Sequence, residues 1–414
     1  MAAKREKRRE ARKRAKSAAR GHSRAAAQPS LASISAVDYY EKLGVTPFIN
    51  AAGTYTALSA STTPPEVLSA VTLAAQRPVN INELLVASGK YLAQRLRCEA
   101  ALVTAGAAAA LTIGTAACIT LGNPDAIDRI PVDMTGLKDE VIIQKAHHCD
   151  YDHAIRNAGV RFIDVETLRD YEHAFTGRTA MAHFFNAGEG KISREAWVRV
   201  AHQHGVPCFN DAAADIPPVS NLWNYTQMGF DLVAFSGGKG LRGPQSSGLL
   251  LGRNELIEAA RQNSSPNANT IGRSMKAGKE EIVGLVAAVD WLLAQDEPAM
   301  QIEYQRRAQR IATHLSGLPT IETQIFVPAV ANHVPHLIIT YDPRKIVVSA
   351  LEVMRKMREG TPRIELNPGT GSAPASAGLP GGANTIVVGV WMLQSGEDLV
   401  VARRLREILE AAIA

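Results

Sequence analysis

The chain has 414 residues, of which 46% are hydrophobic and 21% are charged. This length is too great for one small core and favours a large α/β domain with a smaller second domain, while the composition is typical of a soluble globular protein. No stretch of about 18 uncharged apolar residues occurs, so the sequence predicts no membrane span. The four cysteines lack CxxC spacing, which argues against a zinc site and a disulfide framework and favours a reducing cytoplasm.

The excess positive charge lies in the first 24 residues. They carry 11 Lys or Arg and 2 Glu, so the rest of the chain has a net charge of −4 although the whole chain has +5. This tail has no apolar stripe for packing, which predicts a disordered basic arm and linker over residues 1–36. Nucleic-acid binding and targeting are the alternatives, although the tail lacks the apolar region of a secretory signal.

Short apolar runs alternate with helical segments along most of the chain. Residues 45–55 predict a strand and a glycine-containing loop, and helices follow at about 64–75 and 82–96. Further strands are predicted at 100–103, 141–144, 160–165, 180–185, 208–210, 232–235 and 248–251, with helices at 107–120, 151–158, 168–174 and 193–204. This alternation predicts an α/β fold with a mostly parallel seven-stranded sheet, helices on both faces, and ligands at the carboxyl ends of the strands.

The last part of the chain predicts a smaller α+β domain. Two long helices at 279–294 and 301–315 lead into it, and its strands and helices are predicted at 336–341, 345–358, 363–366, 385–390 and 397–414. The Gly-, Ala-, Pro- and Ser-rich segment 367–384 is typical of a mobile loop. The predicted organisation is a tail at 1–36, an N-terminal segment at 37–98, a large domain at 99–295 and a small domain at 296–414.

A lysine flanked by glycines is the strongest chemical signal. Residues 234–248 read AFSGGKGLRGPQSSG, so an apolar strand ends just before Lys239. Glycines allow close backbone approach to a bulky ligand, and partial burial lowers the pKa of a lysine, which makes it a carbonyl nucleophile. Taken alone, the pattern also fits a solvated lysine in a surface turn.

An acid one strand upstream supports the chemical interpretation. Asp211 ends the apolar run that begins at Val206, 28 residues before Lys239. Chemistry with pyridoxal 5′-phosphate (PLP) requires a buried acid against the pyridine nitrogen, because the protonated ring takes up electrons from the bond that breaks. A lone Asp after a strand is commonly a helix cap, but an Asp followed by small residues and then by Ser-Gly-Gly-Lys is more specific.

A third signal follows the first strand of the predicted sheet. Residues 103–111 read VTAGAAAAL, which predicts a strand, a turn of small residues and a helix. This arrangement directs free backbone N–H groups and the positive end of a helix at a phosphate. Such turns are common, but this one lies where a phosphate cradle is expected.

These three elements, in this order, resemble PLP-dependent enzymes of fold type I, the aspartate aminotransferase fold group. The runs FSGGKGLRGPQ at 235–245 and GRSMKAGKEEIVGL at 272–285 resemble the selenocysteine-synthase-like family, especially its D-glucosaminate-6-phosphate ammonia-lyase branch. INAAGT at 49–54 and YDHAIR at 151–156 add to the resemblance, which extends from about residue 39 to the C-terminus.

The resemblance implies roles for individual residues. Lys239 is expected to form the Schiff base with PLP, and Asp211 to pair with its ring nitrogen. The other expected cofactor contacts are the ring of His147 or His148, the phosphate ligands Ala105, Gly106, Ala107 and Ser236, and Arg242 and Gln245 near the phosphate or the subunit boundary.

Two further residues are substrate candidates. Arg363 is expected to bind the substrate carboxylate, with a surface salt bridge as the alternative. Thr54 lies in the loop GTYTALS at 53–59. The resemblance implies that a basic residue often follows Gly-Thr-x-Thr, whereas Ala57 follows it here. This departure from the family pattern affects which substrate is expected, but it does not affect the expected binding of PLP.

The resemblance implies a lyase that acts on a hydroxylated amino acid or amino sugar acid. It would remove an α-proton and a β-hydroxyl and release ammonia and a keto acid, with Lys239 as base and then acid. β-Replacement on seryl-tRNA, another PLP-dependent transfer and a PLP-binding regulator are the alternatives; the acidic body argues against tRNA.

We also expect no metal, a homodimer or higher oligomer with shared sites, nucleic-acid contact only through the tail, and a cytoplasmic location.

Overall fold

The computed structural model describes residues 37–186, 188, 190–372 and 378–414. The predicted tail lies outside these residues. The described residues up to Pro47 belong to one unit, and Phe48–Ala414 is another. The first unit contains helix α1 (Tyr39–Leu43), which Asp38 caps by accepting a hydrogen bond from Tyr40 N at 2.8 Å.

The second unit contains twelve strands in its described residues. They are β1 (Phe48–Ala51), β2 (Ala100–Thr104), β3 (Glu140–Gln144), β4 (Arg161–Val165), β5 (Thr179–Phe185), β6 (Cys208–Asp211), β7 (Leu232–Ser236), β8 (Gly248–Gly252), β9 (Glu322–Phe326), β10 (His336–Thr340), β11 (Arg363–Leu366) and β12 (Thr385–Gly389).

Helices connect and cover these strands. They are α2 (Pro65–Ala75), α3 (Ile81–Leu96), α4 (Ala107–Thr120), α5 (Pro124–Arg129), α6 (Asp152–Arg156), α7 (Leu168–His173), α8 (Arg194–Gln203), α9 (Asn221–Met228), α10 (Asn254–Gln262), α11 (Lys279–Leu293), α12 (Glu297–Leu315), α13 (Ala350–Glu359) and α14 (Glu397–Glu410). No described helix is both long and apolar enough to span a membrane.

Seven strands form the central sheet in the order β2-β8-β7-β6-β5-β3-β4. β8 is antiparallel to both of its neighbours, and the other pairings are parallel. The core is continuous across the sheet, and α4 lies so close that a Cβ at Gly114 would collide with the ring of Phe209. The prediction of a mostly parallel seven-stranded sheet is therefore confirmed.

A second core gathers the C-terminal elements. β9, β10 and β12 form an antiparallel sheet, which packs with α12, α13 and α14. β1 pairs in parallel with β11, with Ile49 opposite Ile364, and so the start of this unit belongs to the C-terminal core. The division between the cores falls between α11 and α12, and we propose the domain boundary near residue 295 on this basis.

Several element boundaries differ from the prediction. The helix expected at 345–358 begins at Ala350, because the Ser349 side chain accepts a hydrogen bond from Glu352 N at 3.1 Å and caps it there. The helix expected at 301–315 begins at Glu297, where Asp296 provides the cap and Pro298 occupies the first turn. The sequence pattern also missed β9, α5, α9 and α10.

Ile142 on β3 is fully buried in the large core. Ile142→Ala should lower the free energy of unfolding by about 2–5 kcal/mol, because it removes buried methyl groups and leaves a cavity. Val132→Ala is the control, since Val132 is 94% exposed, and it should leave denaturant unfolding unchanged. Equal stability of the two variants would contradict the burial of β3 within the large core.

Candidate active site

The carboxyl ends of several strands meet at one edge of the central sheet. Thr104 pairs with Gly248, which pairs with Ser236, while Asp211 pairs with Ala234. Because Lys239 follows Ser236 by three residues, it lies at the same edge as Asp211 and the turn after β2. The structure therefore brings together the residues at the centre of the predicted site, namely Ala105, Gly106, Ala107, Asp211, Ser236 and Lys239.

Tight backbone packing fixes the loop that carries Lys239. Gly237 N donates to Ser247 O at 2.8 Å, and Gly243 N donates to Gly237 O at 2.8 Å, which closes the loop. A Cβ at Gly238 would lie 2.6 Å from the Cα of Gln245, and one at Gly240 would collide with the backbone of Ile216. The residues on both sides of Lys239 therefore have no room for a side chain, and the backbone around Lys239 is closely packed.

Lys239 and Asp211 affect each other's charge. Burial raises the pKa of Asp211, while the N–H of Ala213, 3.0 Å from Oδ1, and the nearby Lys239 lower it. Burial lowers the pKa of Lys239, and Asp211 and Asp215 oppose this shift. Among the described residues, neither the Lys239 Nζ nor the second oxygen of Asp211 has a hydrogen-bond partner, so both atoms remain free for a ligand.

The turn before α4 leaves an open helix end. Gly106 has φ +94°, which suits glycine, and a Cβ there would meet no atom within 4 Å. Gly106 provides no side-chain cap, and the first intrahelical bond runs from Ala110 N to Gly106 O, so the N–H groups of the first turn are free. Gly248 packs so closely against this turn that a Cβ there would collide with it. Free N–H groups and the positive helix end form an anion site.

A buried polar network that the sequence pattern missed lies beside Asp211. Asp215 Oδ2 accepts hydrogen bonds from Asn186 Nδ2 at 2.7 Å and from the Tyr225 hydroxyl at 2.9 Å. Arg194 Nε donates to Asn186 Oδ1 at 2.8 Å and thereby orients that amide. Burial raises the pKa of Asp215 to about 6, with Asp211 adding to the effect. These residues come from four separate segments, so no local motif predicts the network.

The two histidines differ in their surroundings. His147 is buried, and its Nδ1 accepts from Phe185 N at 3.2 Å, while burial lowers its pKa to about 4. For His148, burial opposes the charge, but hydrogen bonds to Asp164 and Asp152 outweigh it and raise the pKa. Both ring nitrogens of His148 have carboxylate partners, and His147 accepts a backbone hydrogen bond at Nδ1. A ring contact of either histidine with a cofactor remains a prediction.

The described contacts of Arg242 and Gln245 are with segments other than the α4 turn. Arg242 donates to Trp391 O at 3.0 Å and lies over the ring of Trp291. Gln245 Nε2 donates to Thr56 O at 2.8 Å and holds the loop that follows β1. These two residues join the Lys239 loop to its neighbours, and their proposed phosphate contacts remain a prediction.

The two substrate candidates lie in different places. Thr54 is buried in the loop after β1, which contacts the Lys239 loop. Arg363 lies at the first position of β11, and its Nε donates to Arg358 O at 3.2 Å. Asn367, which follows the other end of β11, contacts the Thr54 loop instead, with Nδ2 2.8 Å from Ala52 O. The structure thus places Asn367 near the site and Arg363 at the far end of the strand.

The family model described as L-seryl-tRNA selenium transferase (SelA) matches residues 48–315, which is more than half of the chain. The chain belongs to this family. The match covers the Lys239 loop, Asp211 and the α4 turn, and ends at the last residue of α12.

Individual relatives and one solved structure extend the comparison. The chain is 31% identical over 342 residues to a 5′-C-glycyluridine monooxygenase-decarboxylase of a Streptomyces species, covering 79% of this chain and 83% of that protein. It is 30% identical over 264 residues to the D-glucosaminate-6-phosphate ammonia lyase of Salmonella typhimurium, covering 61% and 69%. A solved structure of D-glucosaminate-6-phosphate ammonia-lyase superimposes with a TM-score of 0.76 at 27% identity, covering 91% and 99%.

These findings confirm the family resemblance and the fold class. The fold is that of the fold-type-I PLP-dependent enzymes, with the central sheet and C-terminal core described above. The sequence motifs did not anticipate the similarity to the monooxygenase-decarboxylase.

The raised pKa of Asp215 has a consequence for stability. The folded protein retains a proton up to about pH 6, whereas the ordinary pKa of the group is 3.8, so its contribution to stability falls as the pH rises from about 4 to 6. Asp215→Asn removes this titration and keeps an oxygen that accepts both hydrogen bonds. Between pH 4 and pH 7, the free energy of unfolding of Asp215→Asn should rise by up to about 3 kcal/mol relative to that of the unsubstituted protein. Chemical unfolding at both pH values measures this difference. A stability difference that does not change with pH would contradict the buried, titrating carboxyl.

Proposed function

We propose that the chain is a PLP-dependent ammonia-lyase that acts on a hydroxylated amino acid or amino sugar acid. The observation that carries the proposal is the buried Asp211 carboxylate, with one unpartnered oxygen, beside the partly buried Lys239 and the open N-terminus of α4. The reaction is an α,β-elimination that releases ammonia and a keto acid. The similarity to D-glucosaminate-6-phosphate ammonia-lyase supports this reaction class and a phosphorylated amino sugar acid as one substrate candidate.

The residues present fit PLP at three points. Lys239 would hold its aldehyde carbon, Asp211 its ring nitrogen, and the N–H groups of Gly106, Ala107 and the next residues its phosphate. When bound, PLP withdraws electrons from the substrate α-carbon through its protonated ring. A ring contact from His147 or His148 and a phosphate contact from Ser236 remain part of this proposal.

The proton steps fall to Lys239. Burial lowers its pKa, so the free amine is available to remove the α-proton after substrate exchange. The same amine then carries that proton for a later step, since one group can act as base and then as acid. Asp211 remains ionised opposite the ring nitrogen, because a cationic partner offsets the cost of its burial.

A second candidate is loss of the substrate carboxylate instead of the α-proton. The similarity over 342 residues to a monooxygenase-decarboxylase favours it specifically. Both reactions begin at the bonds of the α-carbon and use the same Lys239 and Asp211. Mass spectrometry of the products separates them, because the elimination yields ammonia and a keto acid while decarboxylation yields CO₂. β-Replacement on seryl-tRNA is a weaker alternative, since residues 25–414 have a net charge of −4.

The working form is proposed to be a cytoplasmic homodimer or higher oligomer. The resemblance to fold-type-I PLP-dependent enzymes implies that the loops at 243–245 and 269–273 lie at the subunit boundary, so that two copies would share each site. A small-molecule substrate is the main partner, and any nucleic acid would contact the basic tail. Sedimentation of the PLP-loaded protein as an active monomer would contradict the shared site.

The covalent attachment of PLP tests the role of Lys239. The purified protein should be yellow, and borohydride reduction should fix the cofactor on the peptide that contains Lys239. Lys239→Ala should lose both the fixation and turnover, whereas Lys90→Ala should retain both because Lys90 is exposed on α3. Recovery of the reduced cofactor on another lysine would overturn the assignment.

The charge of Asp211 is tested by an isosteric change. Asp211→Asn should retain part of the bound PLP and lose most of its turnover, because a neutral amide no longer holds the ring proton. Asp128→Asn, at an exposed position of α5, provides the matched control and should behave as the unsubstituted enzyme. Near-normal turnover of Asp211→Asn would show that another acid serves the ring.

A further inference from the structure

Tyr55 belongs to a loop, residues 52–61, that is fixed against the Lys239 loop. Gln245 Nε2 donates to Thr56 O at 2.8 Å, and the Ser61 hydroxyl donates to Gly238 O at 2.7 Å. Gly238 is the residue immediately before Lys239. Two hydrogen bonds that follow Tyr55 in the chain, at Thr56 and Ser61, thus set its position relative to the Lys239 loop.

The other side of this loop contacts the C-terminal core. Asn367 Nδ2 donates to Ala52 O at 2.8 Å and to the Tyr55 hydroxyl oxygen at 3.1 Å. Asn367 Oδ1 accepts from Gly369 N at 2.9 Å. An exchange of the amide oxygen and nitrogen would place two acceptors together at Ala52 and two donors together at Gly369, so the orientation of the amide is determined by its neighbours.

The orientation of Asn367 decides where the Tyr55 proton points. Because the amide nitrogen donates to the hydroxyl oxygen, the hydroxyl cannot donate back to it, and its own proton is directed elsewhere. None of the described residues accepts a hydrogen bond from the Tyr55 hydroxyl, and 37% of the residue is exposed. A hydroxyl with its oxygen held and its proton free is arranged to donate to a ligand.

The hydroxyl shares its surroundings with the site. Burial raises the pKa of Tyr55, the hydrogen bond from Asn367 lowers it, and Tyr151 raises it further. Burial also raises the pKa of Tyr151, and Asp211 adds to that effect. The Tyr55 hydroxyl therefore stays protonated at neutral pH, and the same group of charges acts on Tyr55, Tyr151 and Asp211.

We propose that Tyr55 is the general acid that donates its proton to the substrate β-hydroxyl as that group leaves. This role rests on the proposed elimination, in which Lys239 already holds the α-proton and a second proton is needed on the departing oxygen. The carbon–oxygen bond breaks with its electron pair on oxygen, and the Tyr55 proton converts the hydroxide to water. The phenolate that remains is stabilised by the Asn367 N–H and is reprotonated from Lys239 or solvent.

The test separates the two proton steps in the PLP-loaded enzyme. Tyr55→Phe and the unsubstituted enzyme are incubated in D₂O with D-glucosaminate 6-phosphate, D-serine, L-serine or L-threonine, and with the 3-deoxy analogue of the sugar acid. Keto-acid formation measures elimination, and deuterium incorporation at the α-carbon, followed by NMR, measures the Lys239 step. The 3-deoxy analogue has no leaving hydroxyl and reports the Lys239 step alone.

Tyr55→Phe should form keto acid about 10²–10⁴-fold more slowly, the range typical of a general acid. Its rate of α-deuteration of the 3-deoxy analogue should stay within about twofold, since general acid–base effects act only at the step that needs the proton. Borohydride trapping of PLP should be unchanged. Tyr91→Phe is the control, because the Tyr91 hydroxyl donates to Asp290 at 2.8 Å on the surface, and it should retain both rates.

Two outcomes would overturn the role of Tyr55. Unchanged keto-acid formation by Tyr55→Phe would show that another group protonates the leaving oxygen. An equal loss of elimination and deuteration would show that Tyr55 only positions the substrate. Failure of the unsubstituted enzyme to deuterate or eliminate any of these compounds would instead overturn the proposed elimination, and the role of Tyr55 with it.

Discussion

The site is organised around a carboxylate that is almost completely buried. Asp211 retains only 3% of its accessible surface, and from the described residues its carboxylate receives one hydrogen bond, that of Ala213 N, and the influence of Lys239. Burying an ion without full compensation is unfavourable, so such a group either takes up a proton or binds a cation. In the proposed function, a protonated pyridine ring would provide that cation. The same burial lowers the pKa of Lys239, and one environment thus prepares both an acid partner for the ring and a nucleophilic amine.

The surrounding structure holds this environment in place through backbone contacts more than through side chains. The glycines at 237, 238 and 240 pack where no Cβ fits, and the Gly106 turn rests against Gly248. The strand register sets the distance between the α4 turn and the Lys239 loop, because β2, β8 and β7 are consecutive in the sheet. Small changes in this packing would therefore displace the phosphate end and the aldehyde end of a cofactor relative to each other.

The C-terminal core contributes to the same site. Asn367 contacts the loop after β1, and Arg242 of the Lys239 loop donates to Trp391 O just beyond β12. β1 is itself paired with β11. The loop that carries Thr54 and Tyr55 is thus anchored to the second core at its start and to the Lys239 loop at its end, which suits a substrate site formed between the two cores.

The strands of the central sheet could be predicted from the sequence because buried parallel strands are short, continuous apolar runs. β9 was missed because its first three residues, ETQ, are polar and exposed on an edge of the small sheet, which leaves only two apolar residues in the strand. Lys239 and Asp211 were recognisable because each has a local context of small residues after a strand. Asp215 and Asn367 had no such signal: their roles depend on partners distant in the sequence, and Asn367 begins a segment whose composition predicts a mobile loop.

A crystal structure of the PLP-loaded protein tests the central claim most directly. We expect a hydrogen bond of about 2.7–2.9 Å between an Asp211 oxygen and the ring nitrogen, with the phosphate against the backbone N–H groups at the start of α4 and the aldehyde carbon bonded to Lys239 Nζ. A cofactor bound with its ring nitrogen away from Asp211, or with its phosphate at another helix end, would contradict it.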